Sequence, residues 1–166
     1  MGHNICALIS RKPIDENVIK KFQLAVAFED EFAIVILEMD SIFYWSRKLN
    51  LSFESQNDKI DWACELVYHF ANELGMERYA IIQTDYFAGI GEQSASLYEK
   101  GNLIIENKSI NDVLKELGVK RKHFADEFDT LNLGEYRATE YYYWDNHNFA
   151  DKKTNMIAGR IPKDSS

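Results

Sequence analysis

Two short stretches of this chain are hydrophobic at every position rather than at alternate positions. Residues 5–9 and 33–37 each form such a run. A strand that faces solvent on one side alternates hydrophobic and polar residues, whereas a strand covered on both sides does not. Both runs are therefore predicted to be central β-strands, buried on both faces.

Two longer segments carry hydrophobic residues at helical spacing. Residues 15–26 have this pattern after Pro13, which suits the start of a helix, although the run 24–28 also fits a strand. Residues 58–74 show the clearest helical pattern, with a capping residue at the start and Gly75 after the end. Each segment is predicted to be a helix with one buried face.

Strand-like runs and one further helix follow. Gly101 permits the positive φ of a tight turn between the last two of these strands. Ser109, with an acid three residues later, begins a short capped helix that Gly118 ends. The predicted strands are residues 79–84, 94–99 and 103–106.

The order of these elements predicts an α+β fold in which one mostly antiparallel sheet has helices packed on it. We expect a single domain at residues 1–150 and a loosely ordered C-terminal tail at residues 151–166. Hydrophobic residues make up 46% of the 166 residues, too many for a disordered chain. A chain of this length is expected to form one core.

The charge of the chain limits the classes of molecule that it is expected to bind. There are 27 acidic and 19 basic residues, which gives a net charge of −8. The last sixteen residues hold four of the bases and two of the acids, so residues 1–150 carry 15 bases against 25 acids. Such a surface repels a phosphate backbone and attracts a basic protein, although ordinary solubility charge is the simpler interpretation.

The start of the chain and its cysteines suggest a cytoplasmic protein without membrane contact. The first residues lack the basic segment of a secretory signal and the length needed to cross a bilayer. Cys6 and Cys64 lie in hydrophobic surroundings, which favours buried, reduced thiols over a disulfide or a zinc site.

Residues 84–93 form the most unusual segment, because they mix aromatic residues, two glycines and two acids between predicted strands. A phosphate-binding loop would need a helix directly after the glycines, and a strand follows instead. We predict a structural loop in which the carboxylates of Asp85 and Glu92 accept hydrogen bonds from the loop's own amides. The residues of this predicted loop are Asp85, Tyr86, Gly89, Gly91, Glu92 and Gln93.

No catalytic constellation accompanies that segment. The four histidines are scattered, without the i, i+4 spacing that places two ligands on one helical face. The sequence therefore predicts no metal, no cofactor and no catalysis. Two alternatives stay open: a small enzyme with its site around residues 84–93, and a regulatory protein-binding domain.

Residues 126–145 combine acidic and aromatic side chains. Aromatic residues supply much of the binding energy in protein interfaces, and acids select a basic partner and speed its approach. An edge strand with its aromatic residues facing the core would give the same pattern. The predicted partner-binding residues are Asp126, Glu127, Asp129, Glu135, Tyr142, Trp144 and Asp145.

Residues 79–141 resemble a group of small bacterial immunity proteins. The resemblance lies in the segment 84–93, the hairpin after it, and the segments 126–129 and 133–140; Ala88 stands where that group is expected to have glycine. Such proteins accompany polymorphic toxins, including those of contact-dependent growth inhibition. The resemblance implies a cytoplasmic inhibitor that binds one cognate toxin domain, for instance a nuclease, and has no catalysis of its own.

Overall fold

The computed structural model describes residues 3–52, 55–56, 59–87, 90–136 and 156–157, and the side chains of residues 5–52, 61–85 and 90–136. The strands are β1 (His3–Arg11), β2 (Ala25–Glu29), β3 (Phe32–Ile36), β4 (Ser55–Gln56), β5 (Lys59–Ile60), β6 (Arg78–Phe87), β7 (Ile90–Glu99), β8 (Asn102–Lys108) and β9 (Met156–Ile157). The helices are α1 (Glu16–Phe22), α2 (Met39–Leu49), α3 (Glu65–Glu73), α4 (Ile110–Leu117) and α5 (Glu127–Thr130), followed by the 3-10 helix η1 (Leu133–Tyr136).

Six strands and the short β9 form one antiparallel sheet in the order β8-β7-β6-β1-β3-β2-β9. β4 and β5 pair separately. The fold is a single α+β domain, as the sequence predicts.

Strand β1 lies in the centre of this sheet, between β3 and β6. Its odd-numbered residues face a hydrophobic core formed with α4 and η1, and its even-numbered residues face a second core formed with α1, α2 and α3. Residues 5–10 are all buried. The predicted burial of residues 5–9 and 33–37 on both faces is confirmed.

The segment predicted as one helix at residues 15–26 divides into α1 and β2. Asp15 caps α1 by accepting a hydrogen bond from the amide of Asn17, and Gln23 ends the helix in the left-handed conformation. The second half of this segment is therefore a strand, which agrees with the alternative interpretation of residues 24–28.

Two helices differ from the sequence analysis. The helix predicted over residues 58–74 begins only at Glu65, because β5 and a bend occupy the preceding residues, and Cys64 rather than Asn57 or Asp58 lies at its N-cap. Helix α2 was not predicted. Its N-cap residue, Glu38, is not one of the usual capping types and its side chain does not cap the helix, so the usual sign of a helix start is missing.

The elements around β8 follow the prediction. Lys100 and Gly101 both have positive φ in the turn between β7 and β8. Ser109 caps α4 by accepting a hydrogen bond from the amide of Asp112, and Gly118 ends the helix with φ of 107°. A Cβ at Gly118 would lie 2.6 Å from Arg11 Nη2, so the arginine side chain would have to move, and the positive φ would strain any other residue.

Two residues of the predicted tail contribute to the sheet. Met156 and Ile157 pair with Ala27 and Val26 of β2. The rest of residues 151–166 lies outside the described residues.

We expect neither cysteine to react with a thiol reagent in the native protein. Cys6 and Cys64 are both buried and free, as predicted, and burial raises the pKa of each thiol, so the reactive thiolate is scarce. Labelling with a chromogenic disulfide should be slower by about a hundredfold or more in buffer than in denaturant, because it requires opening of the core. Rapid labelling of either thiol without unfolding would contradict this.

Candidate protein-binding surface

Phe124 is the most exposed large hydrophobic residue among those described. Its side chain is fully exposed, and its backbone has a φ of +62°. Positive φ is uncommon for residues other than glycine, so the surrounding structure must hold this conformation. His123 contacts the ring edge to face, with a centroid distance of 4.7 Å.

The loop that carries Phe124 is fixed on both sides. The amide of Lys122 donates to Thr130 Oγ1 at 3.1 Å, and the amide of Ala125 donates to the carbonyl of Lys122 at 3.1 Å. Lys122 Nζ lies 2.8 Å from the carboxylate of Asp30, in the turn between β2 and β3. The ring is therefore presented by a braced turn.

Arg121 ties the same loop to the start of α5. Its Nε donates to Glu127 Oε1 at 2.8 Å, and Glu127 is only 2% exposed. The Arg121 guanidinium holds the pKa of Glu127 below its usual range. Two of the cations beside Phe124 are thus paired with carboxylates.

Asp126 is also a structural residue. Its Oδ1 accepts from the amide of Asp129 at 2.8 Å, which caps α5, and its Oδ2 accepts from Asn111 Nδ2 at 3.0 Å. Asn111 Oδ1 accepts from the amide of Phe128 at 2.9 Å. These bonds hold α5 against α4.

Helix η1 is tied to the sheet by a buried tyrosine. Tyr136 is almost fully buried, and its hydroxyl donates to the carboxylate of Glu29 on β2. Burial raises the pKa of Tyr136, and the bond to Glu29 adds to this. Asn132 Nδ2 donates to the same carboxylate at 3.2 Å.

The predicted partner-binding residues have different environments. Asp129 and Glu135 are exposed. Glu127 is buried and paired with Arg121, so it does not fit the predicted role of attracting a basic partner. The side chain of Asp126 caps α5. Tyr142, Trp144 and Asp145 lie outside the described residues. Phe124 was missed because one aromatic residue in a loop has no periodic signal.

Residues 84–87 and 90–93 lie in paired strands and not in an irregular loop. They form the end of the β6–β7 hairpin, where Thr84 pairs with Gln93, Asp85 with Glu92, Tyr86 with Gly91 and Phe87 with Ile90. The strand ladder therefore orders this segment, which corrects the predicted loop supported by Asp85 and Glu92. Gly89 lies outside the described residues.

The side chains proposed for chemistry in this hairpin diverge. The side chain of Thr84 is buried on the face of the sheet that carries α4. Its partner Gln93 shares that face, whereas Asp85 and Glu92 lie opposite each other on the face that carries α3. Asp85, Glu92 and Gln93 therefore do not converge on one pocket.

A shallow groove lies on the α3 face of the sheet, with a volume of about 220 Å³. Among the residues whose side chains the structure describes, no lysine or arginine lines it. Tyr98 forms part of its floor, stacks on Tyr79 with ring centroids 5.3 Å apart and shares a 3.2 Å hydroxyl contact with Tyr68. Burial raises the pKa of Tyr79 to about 12. The residues that line the groove include Asp61, Gln83, Ser94, Ser96, Leu103 and Glu106.

Two other kinds of feature are absent from the part of the chain that the structure describes. No group of three or more histidine, cysteine or acidic residues there could hold a metal ion. No helix within the same residues has the length and hydrophobicity needed to cross a membrane.

A scan of the chain against protein-family models found no match, and neither did searches of curated proteins and of solved structures. The role of these surfaces is therefore argued from this chain's own residues.

We expect Glu127→Gln to lower the free energy of unfolding at pH 7 by about 1 kcal/mol, because it weakens a charge-assisted hydrogen bond at a buried site. The pKa of Glu127 is lower in the folded than in the unfolded protein, so its contribution is complete above the unfolded pKa of about 4.3 and is lost as the pH falls through the folded value. Urea unfolding at pH 7 and pH 3 measures this.

Asp129→Asn is the matched control, since it removes an exposed carboxylate from the same helix and should change stability by less than about 0.5 kcal/mol. An effect of Glu127→Gln that persists undiminished at pH 3 would show that packing, and not the ion pair, is responsible.

Proposed function

We propose that this protein is an immunity-type inhibitor that binds a basic toxin domain, with Phe124 as an aromatic anchor in the interface. The observation that carries the proposal is the fully exposed ring of Phe124 on a braced loop. A ring carried by a braced backbone loses less entropy on binding than a ring on a mobile loop, which favours its use as an interface anchor.

The charges around Phe124 favour a protein pocket over a nucleic acid or an anionic membrane. Arg121 and Lys122 are paired with Glu127 and Asp30, which partly neutralises the positive charge that they present to a phosphate. The whole chain carries a net charge of −8, which repels both anionic surfaces.

The acidic residues near this loop suit a basic partner. Asp129 and Glu135 are exposed on α5 and η1, close in sequence to Phe124. Together with the overall negative charge, they would speed the approach of a basic domain. The ring would then slow dissociation by filling a hydrophobic pocket of the partner.

The class of partner is supported by the resemblance of residues 79–141 to immunity proteins. A nuclease presents a basic surface to its substrate, and an acidic inhibitor is complementary to such a surface. In this proposal the protein acts by occupying the toxin and carries out no reaction of its own.

We expect Phe124→Ala to increase the dissociation rate of the toxin complex about 30-fold, which corresponds to about 2 kcal/mol for an aromatic hot spot. The association rate should change little. Ile90→Ala is the matched control, because Ile90 is also a strongly exposed hydrophobic residue but lies at the tip of the β6–β7 hairpin. Surface plasmon resonance with the toxin encoded by the neighbouring gene gives both rates.

The same measurement at increasing salt tests the electrostatic part. The association rate of the native protein should fall as salt rises, and Asp129→Lys should reduce it further at low salt. Absence of binding and of protection against the neighbouring toxin would refute the proposed function. Binding that is equally tight with Phe124→Ala would retain the function and place the interface elsewhere.

A further inference from the structure

The groove on the α3 face lies where the helices stop covering the sheet. Along β6, the residues facing this side change from buried Tyr79 and Ile81 to half-buried Gln83 and exposed Asp85. The matching positions of β7 change in the same direction, from Tyr98 through Ser96 to Glu92. The groove therefore lies where buried aromatic and aliphatic side chains give way to polar ones, and its lining is mostly polar.

A bulge in β8 lies at one wall of the groove. Glu106 and Asn107 both line the groove, and the pairing of β8 with β7 shifts opposite Ala95 and Leu97, where β8 has one extra residue. Asn107 has a positive φ of 52° at this point. Bulges of this kind commonly re-aim a side chain next to a functional site.

The lining combines carboxylates with hydrophobic surface. Asp61 and Glu106 are exposed acids on different elements, one before α3 and the other on β8, and neither forms an ion pair with the described residues. Leu103 at the rim is 46% exposed, and buried Trp62 and Tyr98 contribute to the floor. This combination suits a cation attached to a short hydrophobic chain, since the chain can pack on exposed Leu103 while the charge stays near the carboxylates.

The size of the groove limits the ligand. Sites for drug-sized molecules are usually about 300–1,000 Å³, whereas this groove has a volume of about 220 Å³. It is several times the volume of about 30 Å³ that one water molecule occupies in the liquid. A single extended chain with one charged end fits this volume.

We propose that this groove binds an organic cation, a guanidinium or primary ammonium group on a short hydrophobic chain, with Asp61 and Glu106 as its charge partners. The site lies on the face of the sheet opposite to α4 and α5, so it does not depend on the proposed contact through Phe124. The same chemistry occurs in free polyamines and in arginine or lysine side chains of proteins.

Titration of the ¹⁵N-labelled protein with n-butylguanidinium at constant ionic strength tests the site. We expect saturable shifts of the amide signals of Ser94, Ser96 and Asn107 in the millimolar range. Guanidinium itself lacks the chain, and n-butylurea lacks the charge, so both should bind more weakly. Equal shifts with all three compounds would overturn the proposal.

The double variant Asp61→Asn/Glu106→Gln should raise the dissociation constant for n-butylguanidinium about tenfold, because it removes two exposed charge partners. The variant Glu16→Gln/Asp40→Asn is the control, since it changes the net charge equally at exposed positions on α1 and α2. An unchanged dissociation constant in the first variant, or the same change in both variants, would refute the site. Urea unfolding confirms that each variant folds.

Two further titrations distinguish the sources of the cation. Spermidine represents a free polyamine, and a blocked hexapeptide with one central arginine represents a protein side chain. Tighter binding of the peptide at the same amides would identify a protein as the source, and tighter binding of spermidine would identify a small molecule. Failure of both to bind would overturn the proposal even if n-butylguanidinium binds.

Discussion

Burial of β1 on both faces is the constraint on which the rest of this fold depends. Every side chain from residue 5 to residue 10 is buried, and the strand is hydrogen-bonded to neighbours on both edges. Such a strand is stable only if helices cover both sides of the sheet. Helices α1, α2 and α3 complete one core, and α4 with η1 completes the other. The groove beside α3 and the loop after α4 are surfaces that these helices leave uncovered.

The sequence predicts those helices and strands that are marked by a pattern of neighbouring residues. Residues 5–9 and 33–37 are recognisable because burial on both faces requires hydrophobic residues at every position, and α4 is recognisable from its Ser109 cap and from Gly118. Helix α2 escapes detection because Glu38 forms no side-chain cap bond and because Phe43 is partly exposed. Ser41 and Ile42 are the buried residues of this helix, so it has no long buried stripe.

The functional surfaces depend on tertiary structure and are less visible in the sequence. Residues 84–93 look like a loop because glycine and acids are unusual in strands, but the pairing of Asp85 with Glu92 shows a strand that extends beyond its helical cover. Glu127 looks like a surface acid, and only the position of Arg121 reveals that it is buried and paired. The loop of Phe124 is braced by the ion pair of Lys122 with Asp30, which is about ninety residues away in the chain, so no local pattern marks this loop.

The sheet separates the two proposed sites, and this determines how each can be studied. The contacts that brace Phe124 run through Thr130, Asp30 and Glu127 on the side of α4 and the β2–β3 turn. The groove is built from side chains of β6, β7 and β8 on the opposite face, together with Asp61. Because substitutions that share no partners have nearly additive effects, a loss of toxin binding caused by a groove variant would show that the partner spans both faces. Independent effects would instead identify two separate ligands on one scaffold.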